Sequence, residues 1–342
     1  MALFSNDTRN LLRKLTVLRT WNGVAIGLSF HVSRWIGKPL LWGQPVSVAI
    51  EPTTACNLGC PECPSGLKKF TRDTGNLKKA AFEKLLANVH RKALYMTFYF
   101  QGEPFIHPDF LDLVRMASGR NLYTATSTNA HFLTDAKARE TVESGLDRLI
   151  ISVDGTTQEV YEQYRVHGDL DKVLEGARNV IKWKKALNSP TPHVIFQFLI
   201  VRPNEHQVEE IKQLGSEIGV DEVRFKTAQV YDYEHGNELI PTVDGYSRYR
   251  RKKDGTWEVK NQLINQCWRM WSSCVVTWDG LVVPCCFDKD ATHRMGNAFV
   301  RPFAEIWRGS TYRQFREKLL KGRDQIDICR NCSEGTRVWV EE

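Results

Sequence analysis

Between residues 46 and 227, short apolar runs alternate with stretches whose apolar residues recur at helical spacing. The runs 46–51, 93–100, 122–127, 149–153, 193–201 and 222–227 read as strands. The stretches 78–90, 109–118, 135–144, 159–164, 170–187 and 206–218 read as helices between them. Repeated βα units predict an α/β fold with a parallel sheet and right-handed crossovers. Six such units are too few for eight-fold closure, so residues 45–229 are expected to form a partial (β/α)6, TIM-like barrel. In barrels of this kind chemistry gathers at the C-terminal ends of the strands.

The flanks break the alternation. In residues 1–44, Leu11, Leu12, Leu15 and Leu18 recur at helical spacing with Arg13, Lys14 and Arg19 among them. The pattern predicts a basic amphipathic arm with Trp21, Trp35 and Trp42 adding interfacial character. The longest uncharged run, residues 20–33, is too short to span a bilayer. Residues 9–42 therefore either lie on an anionic membrane surface or pack on the barrel and close it, with the second favoured. Residues 230–262 are polar and charged, and Arg248–Lys253 reads as a solvated linker. Residues 263–342 are set apart by six of the chain's nine cysteines.

Composition narrows the class. The chain has 342 residues, 42% hydrophobic and 25% charged, enough for one large domain and a smaller one. Of its net charge of +7, residues 1–50 carry +5, since six basic side chains face Asp7 alone. The body is near neutral, which argues against a nucleic-acid partner. No secretory signal pattern opens the chain, and the cysteines form two groups rather than a scattered disulfide framework. A reducing cytoplasmic setting is expected, either free or peripheral to the inner face of the membrane through the arm.

The first cysteine group follows the first strand, in Cys56-Asn-Leu-Gly-Cys60-Pro-Glu-Cys63. Three thiolates at this spacing suit a four-iron cluster with one iron left open. A zinc knuckle is the alternative, but it usually needs a second ligand pair, and the next histidine is His90. The run resembles the radical S-adenosylmethionine (SAM) superfamily. The resemblance implies that the open iron chelates SAM and that the reduced cluster cleaves it to a 5′-deoxyadenosyl radical. The chain departs from the family where an aromatic residue often precedes the third cysteine, because Glu62 stands there.

Further motifs extend the resemblance. Gln101-Gly-Glu-Pro104 is similar to the family's GGEP motif, which implies that Gly102 and Glu103 serve the SAM amino group. Ser127, Asn129 and Ser152, at the ends of strands three and four, are implied contacts to the ribose or methionine portion. Arg165 is the implied partner of the SAM carboxylate. Asp154-Gly155 also reads simply as a turn.

The second group resembles the SPASM and Twitch extensions of the same family through Gly280-Leu-Val-Val-Pro-Cys285, Gly296-Asn297, Ile306-Trp307 and Cys329-Arg-Asn-Cys332. The resemblance implies one auxiliary 4Fe-4S cluster held by Cys267, Cys285, Cys329 and Cys332. A four-cysteine zinc site is the alternative. Cys274 and Cys286 are left over, either as a substitute ligand or as hydrogen donor to a substrate radical. Asp232 is a candidate acid–base group. The expected activity is a SAM-cleaving oxidoreductase or epimerase acting on a sugar, alcohol or lipid-linked metabolite, fed by flavodoxin or ferredoxin. Two other readings are a peptide-modifying enzyme and a non-catalytic electron-transfer protein.

Overall fold

The computed structural model describes residues 5–260 and 263–332. The outer limits expected for the arm and the C-terminal segment, residues 1 and 342, lie outside the described residues, as does residue 262. Six parallel strands, β1 (Ser47–Ile50), β2 (Tyr95–Thr97), β3 (Tyr123–Thr128), β4 (Arg148–Ser152), β5 (His193–Ile200) and β6 (Glu222–Thr227), pair in sequence order. Helices follow the strands, as the partial barrel predicts. β3 is buried at all but one position, because a parallel sheet covered by helices has no wet face. Side chains of Thr134, Thr157 and Asp169 accept the first free N–H groups of three of these helices.

The C-terminal segment extends the same sheet. β9 (Ser273–Val276) pairs in parallel with β1, and β10 (Leu281–Val283) and β11 (Gly296–Asn297) add antiparallel strands beyond it. β1 thus lies inside a nine-stranded sheet, between β2 and β9.

Residues 230–260 are more than a solvated linker. β7 (Tyr249–Arg251) and β8 (Trp257–Val259) form a hairpin. Tyr249 is buried, its hydroxyl reaching the Val230 backbone and Asn331 Oδ1 (2.9 Å). Arg248 is half-buried and donates to the Thr227 carbonyl at 2.7 Å. Arg250 and Arg251 remain exposed.

The arm packs on the barrel. Helix α1 (Asn6–Arg13) is capped by Ser5, and helix α2 (Val17–Ile36) by Thr16 and by Gly37 at φ +68°. Both meet the end of the barrel where strands begin. Asp7 accepts hydrogen bonds from the Tyr123 hydroxyl and from Arg148, at the first residues of β3 and β4. Arg19 donates to the carbonyls of Lys14 (2.6 Å), Asn121 (2.5 Å), His90 (2.8 Å) and Arg120 (3.1 Å). Asn22 exchanges bonds with Gln44 at 2.9 Å in both directions.

Arg19→Ala removes a buried cation that holds carbonyls from both chain turns entering the sheet. It is expected to cost about 2–4 kcal/mol and lower the melting midpoint by several degrees. Leu28→Ala, on the exposed side of α2, is expected to stay within about 0.5 kcal/mol. Paired thermal melts check both.

Candidate active site

Cys56, Cys60 and Cys63 sit in the loop beyond the C-terminal end of β1. They line a cavity of about 240 Å³ together with Gly102, Glu103, Ser127, Asn129, Ser152 and Arg165. Every residue singled out for SAM therefore lies on one cavity. Burial pushes the Cys56 thiol up to about 12, with Glu103, Cys60 and Cys63 adding to it. Burial also raises Cys60, against the pull of the Arg165 guanidinium, whose Nη1 lies 3.8 Å from the sulfur.

Gly102 is required by close approach. Its φ is +74°, and a Cβ there would lie 2.3 Å from the Thr53 carbonyl oxygen. The Glu103 carboxylate is buried and already accepts from Phe105 N (3.1 Å), Thr128 Oγ1 (2.7 Å) and Asn129 N (2.8 Å). Burial raises its pKa despite these donors. Its first task is to hold the ends of β2 and β3 together, which fixes Asn129 on the rim. Asn129 in turn donates to Asn57, inside the cysteine loop, at 2.8 Å.

Several residues of this site escaped sequence reasoning. Asp154, expected in a simple turn, is buried and accepts from Arg165 Nε at 2.5 Å and from Leu199 N at 2.7 Å. Burial opposes charge on Arg165, but Asp154 and the Cys60 thiolate raise its pKa well above the usual value. Gln101, at the place of the family's first glycine, receives the Cys63 thiol at 3.9 Å and the Ser65 hydroxyl at 3.5 Å. Ser65 also accepts from Gly102 N at 2.8 Å. The polar types at these positions were the only signal. Glu62 turns away from the cavity and accepts from Tyr231 N at 2.9 Å, tying the cysteine loop to the segment after β6.

The second cysteine group is also brought together. Burial raises Cys285 strongly, followed by Cys286, and Cys267 and Cys332 add to it. Burial lifts Cys329 to about 11, with Cys332 the next cause. Arg323 Nη2 lies 3.3 Å from Cys332 Sγ, and though burial opposes it, the Cys332, Cys267 and Cys329 thiolates raise the Arg323 pKa. No three His, Cys, Asp or Glu side chains among the described residues converge on one ion-sized point. A multi-iron cluster does not ask for that, because its thiolates bind different irons. The surroundings suit an anionic group. Buried nitrogens Arg248 Nε, Arg248 Nη1 and Arg323 Nε have no hydrogen-bond partner among the described residues, and burial lowers the Arg248 pKa against the opposing pull of Tyr249 and Cys332. Cluster sulfides are acceptors of the kind these donors lack.

Two of the three expected catalytic residues are not placed for chemistry. Cys274 lies on β9 opposite Val48, 2% exposed in the main hydrophobic core. Burial raises its pKa, and the thiol has no path to a substrate. Asp232 is 79% exposed, pairs loosely with His235 (3.6 Å) and is not on the cysteine cavity. Cys286 is different. It is exposed, lies 3.6 Å from Arg269 Nη1, and is close enough to perturb both Tyr99, on the cavity wall, and Lys226, on β6.

Comparison with known proteins agrees with this layout. A family model for the radical SAM superfamily matches residues 50–215, and one for the SPASM iron–sulfur cluster-binding domain matches residues 267–333. The chain is a radical SAM protein with a C-terminal SPASM domain. Membership brings a SAM-binding 4Fe-4S cluster and auxiliary iron–sulfur binding. This radical SAM protein is 26% identical to the tungsten-containing aldehyde ferredoxin oxidoreductase cofactor-modifying protein of Pyrococcus furiosus, over 83% of the chain and 86% of the relative. It is 28% identical to the PqqA peptide cyclase of Bradyrhizobium diazoefficiens, over 59% of the chain and 52% of that relative. Its fold is shared with Streptococcus suis SuiB bound to S-adenosylmethionine (TM-score 0.65, 13% identity, 98% of this chain and 80% of that one). It is also shared with anSMEcpe with bound AdoMet (TM-score 0.60, 17% identity, 87% and 93%).

Anaerobically reconstituted protein is expected to hold about eight irons, and a Cys56→Ala/Cys60→Ala/Cys63→Ala variant about four. Iron and sulfide assays check this. Half the expected iron, all lost in the variant with zinc retained, would make the C-terminal site a zinc site.

Arg248→Gln and Arg323→Gln each remove a cation beside the second cysteine group. Each is expected to lower that cluster's reduction potential by roughly 60 mV or more. Potentiometric titration followed by electron paramagnetic resonance reads the shift.

Proposed function

We propose that this radical SAM enzyme modifies a peptide or protein, with SAM seated in the 240 Å³ cavity. Cys56, Cys60 and Cys63 hold the SAM-binding cluster, and Cys267, Cys285, Cys329 and Cys332 hold one auxiliary cluster. When bound, the cluster and SAM would supply the radical chemistry, a hydrogen-atom abstraction from the substrate. The chain's own part is positioning. Arg165, charged and braced by Asp154, takes the SAM carboxylate. The Gly102–Glu103 turn takes the ammonium, chiefly through backbone, since three donors already occupy the Glu103 carboxylate. Ser127, Ser152 and Asn129 line the remaining wall.

The observation that carries the substrate class is the pair of hollows flanking the cysteine loop. One, of about 790 Å³, runs from Pro61 and Glu62 to Arg202, Arg251 and Trp257. The other, of about 400 Å³, runs from Pro64 and Leu67 to Tyr231, Phe287 and Ile328, next to both cysteine groups. Two separate open hollows on either side of the loop leave more room than a compact metabolite needs and suit a longer chain. The relatives add support, since the PqqA cyclase is named for a peptide, and SuiB and anSMEcpe have been described with bound peptides. The expectation of a sugar, alcohol or lipid-linked substrate gives way to this reading. Cys286, exposed and 3.6 Å from Arg269 Nη1, would be the thiol to return a hydrogen atom to the substrate radical.

With SAM and dithionite, the reconstituted enzyme is expected to release 5′-deoxyadenosine, and Cys60→Ser to release about a hundredfold less or none. Mass spectrometry of peptides encoded beside the gene should then show a modified product. Turnover of small polyols or sugars, with all such peptides unchanged, would defeat the peptide assignment while leaving SAM cleavage intact.

A further inference from the structure

Helix α2 carries its polarity inverted. Its barrel side holds Arg19, Asn22, Ser29 and Ser33 beside Ile26 and Phe30, and is anchored mostly by hydrogen bonds. Its outward side presents Val17, Leu18, Trp21, Val24, Leu28 and Trp35, between 46% and 87% exposed. An amphipathic helix normally buries its apolar stripe. Here that stripe faces away from the protein, and a contiguous exposed apolar face of this kind marks an interaction surface.

Charge selects the occupant. Arg9, Arg13, Arg34 and Lys38 are exposed on the same arm. Arg91 and Arg120, in the two turns that Arg19 engages, are exposed as well. The single acid of residues 5–44, Asp7, is buried and bonded to Tyr123 and Arg148. The arm is thus apolar with a cationic rim and no exposed acid. A second copy would bring the same cations against it. Indoles at the edge of such a face suit the headgroup layer. No helix among the described residues is long and apolar enough to cross a membrane, so the helix would lie flat.

We propose that the outward face of α2 docks the enzyme on an anionic lipid bilayer. The proposal does not rest on the substrate class. It sets an orientation. The arm covers the end where strands begin, while the cysteine cavity lies beyond the end of β1, so the docked enzyme turns its mouth to the water. A substrate buried among lipid tails would face the wrong end of the barrel.

The test is co-sedimentation of the full-length reconstituted protein with vesicles of phosphatidylcholine alone or mixed with phosphatidylglycerol. Binding is expected only to the mixed vesicles, and weaker at high salt. Trp21→Glu/Leu28→Glu/Trp35→Glu should bind at least about a hundredfold less, with unchanged melting and iron content. Should that variant misfold, Arg9→Gln/Arg13→Gln/Arg34→Gln/Lys38→Gln serves instead. It should also lose about a hundredfold or more, at about fivefold per basic residue. Wild type that ignores mixed vesicles, or variants that bind like wild type, would overturn the proposal. So would a wild-type dimer that the triple variant splits without any vesicle binding, which would make the face a contact between copies.

Discussion

The Glu51 carboxylate is the point on which both cysteine groups depend. It is fully buried at the end of β1, receives Arg72 through Nη1 (2.8 Å) and Nη2 (2.5 Å), and accepts Trp278 N at 3.2 Å. Arg72 lies on the chain leaving the cysteine loop, and Trp278 in the turn between β9 and β10. One carboxylate therefore ties the strand before the first cysteines, the loop after them and the strand pair before Cys285. Burial raises its pKa against the pull of Arg72, so holding this carboxylate charged in the ion pair carries a desolvation cost. Removing one partner of such a pair typically costs about 3–5 kcal/mol, because the other is left charged and dry. The β1–β9 pairing that it locks sets the spacing of the two sites.

Each site then meets the same problem by different means. Thiols in buried surroundings hold their protons, yet cluster binding needs thiolates. At the first site Arg165 supplies compensating charge next to Cys60, and Asp154 keeps that arginine charged and aimed. At the second site Arg323 and Arg248 stand near Cys332 with buried donors unused. The difference is chemical. An open site must leave room and a cation for a carboxylate-bearing ligand, whereas a closed site can spend its cations on the cluster alone.

Much of this was legible in the chain, and the failures have physical causes. The βα alternation and the cysteine spacing located the barrel and the cysteine loop, because both are local patterns, and the resemblance to the radical SAM family supplied the six rim residues. The joining of β9–β11 to the sheet was not legible, since strands of two to four residues carry too little periodicity to register. Asp154 and Gln101 looked like turn and variant residues because their partners, Arg165 and Leu199 for the one and Ser65 for the other, lie on other elements, 11 to 45 residues away. Cys274 and Asp232 were chosen for type alone, and type does not distinguish a core thiol or a solvated carboxylate from a catalytic one. For the arm, helical spacing signalled helix, but its leucines straddle the break between α1 and α2, and it did not show which side would dock, because the barrel end offers carbonyls and so takes the polar side.

The segment between β6 and the SPASM domain couples the sites mechanically. Glu62 holds Tyr231 N from the cysteine loop, and Asn331, between Cys329 and Cys332, donates to Val230 O at 2.7 Å and accepts from Tyr249. Residues 230 and 231 are thus pinned from both cysteine groups at once. Loss of the second cluster would free Asn331, loosen this segment and disturb the loop of the first cluster with no electron having moved. Inactivity after removing an auxiliary cysteine is therefore what a purely structural cluster would also produce. Arg248 helps to separate the two roles, because its substitution changes the charge beside the second cluster and gives up only the bond to the Thr227 carbonyl, not those of Asn331, Tyr249 and Glu62. A rate that follows the potential across substitutions at Arg248 would belong to electron transfer, and a rate that ignores it would belong to the scaffold.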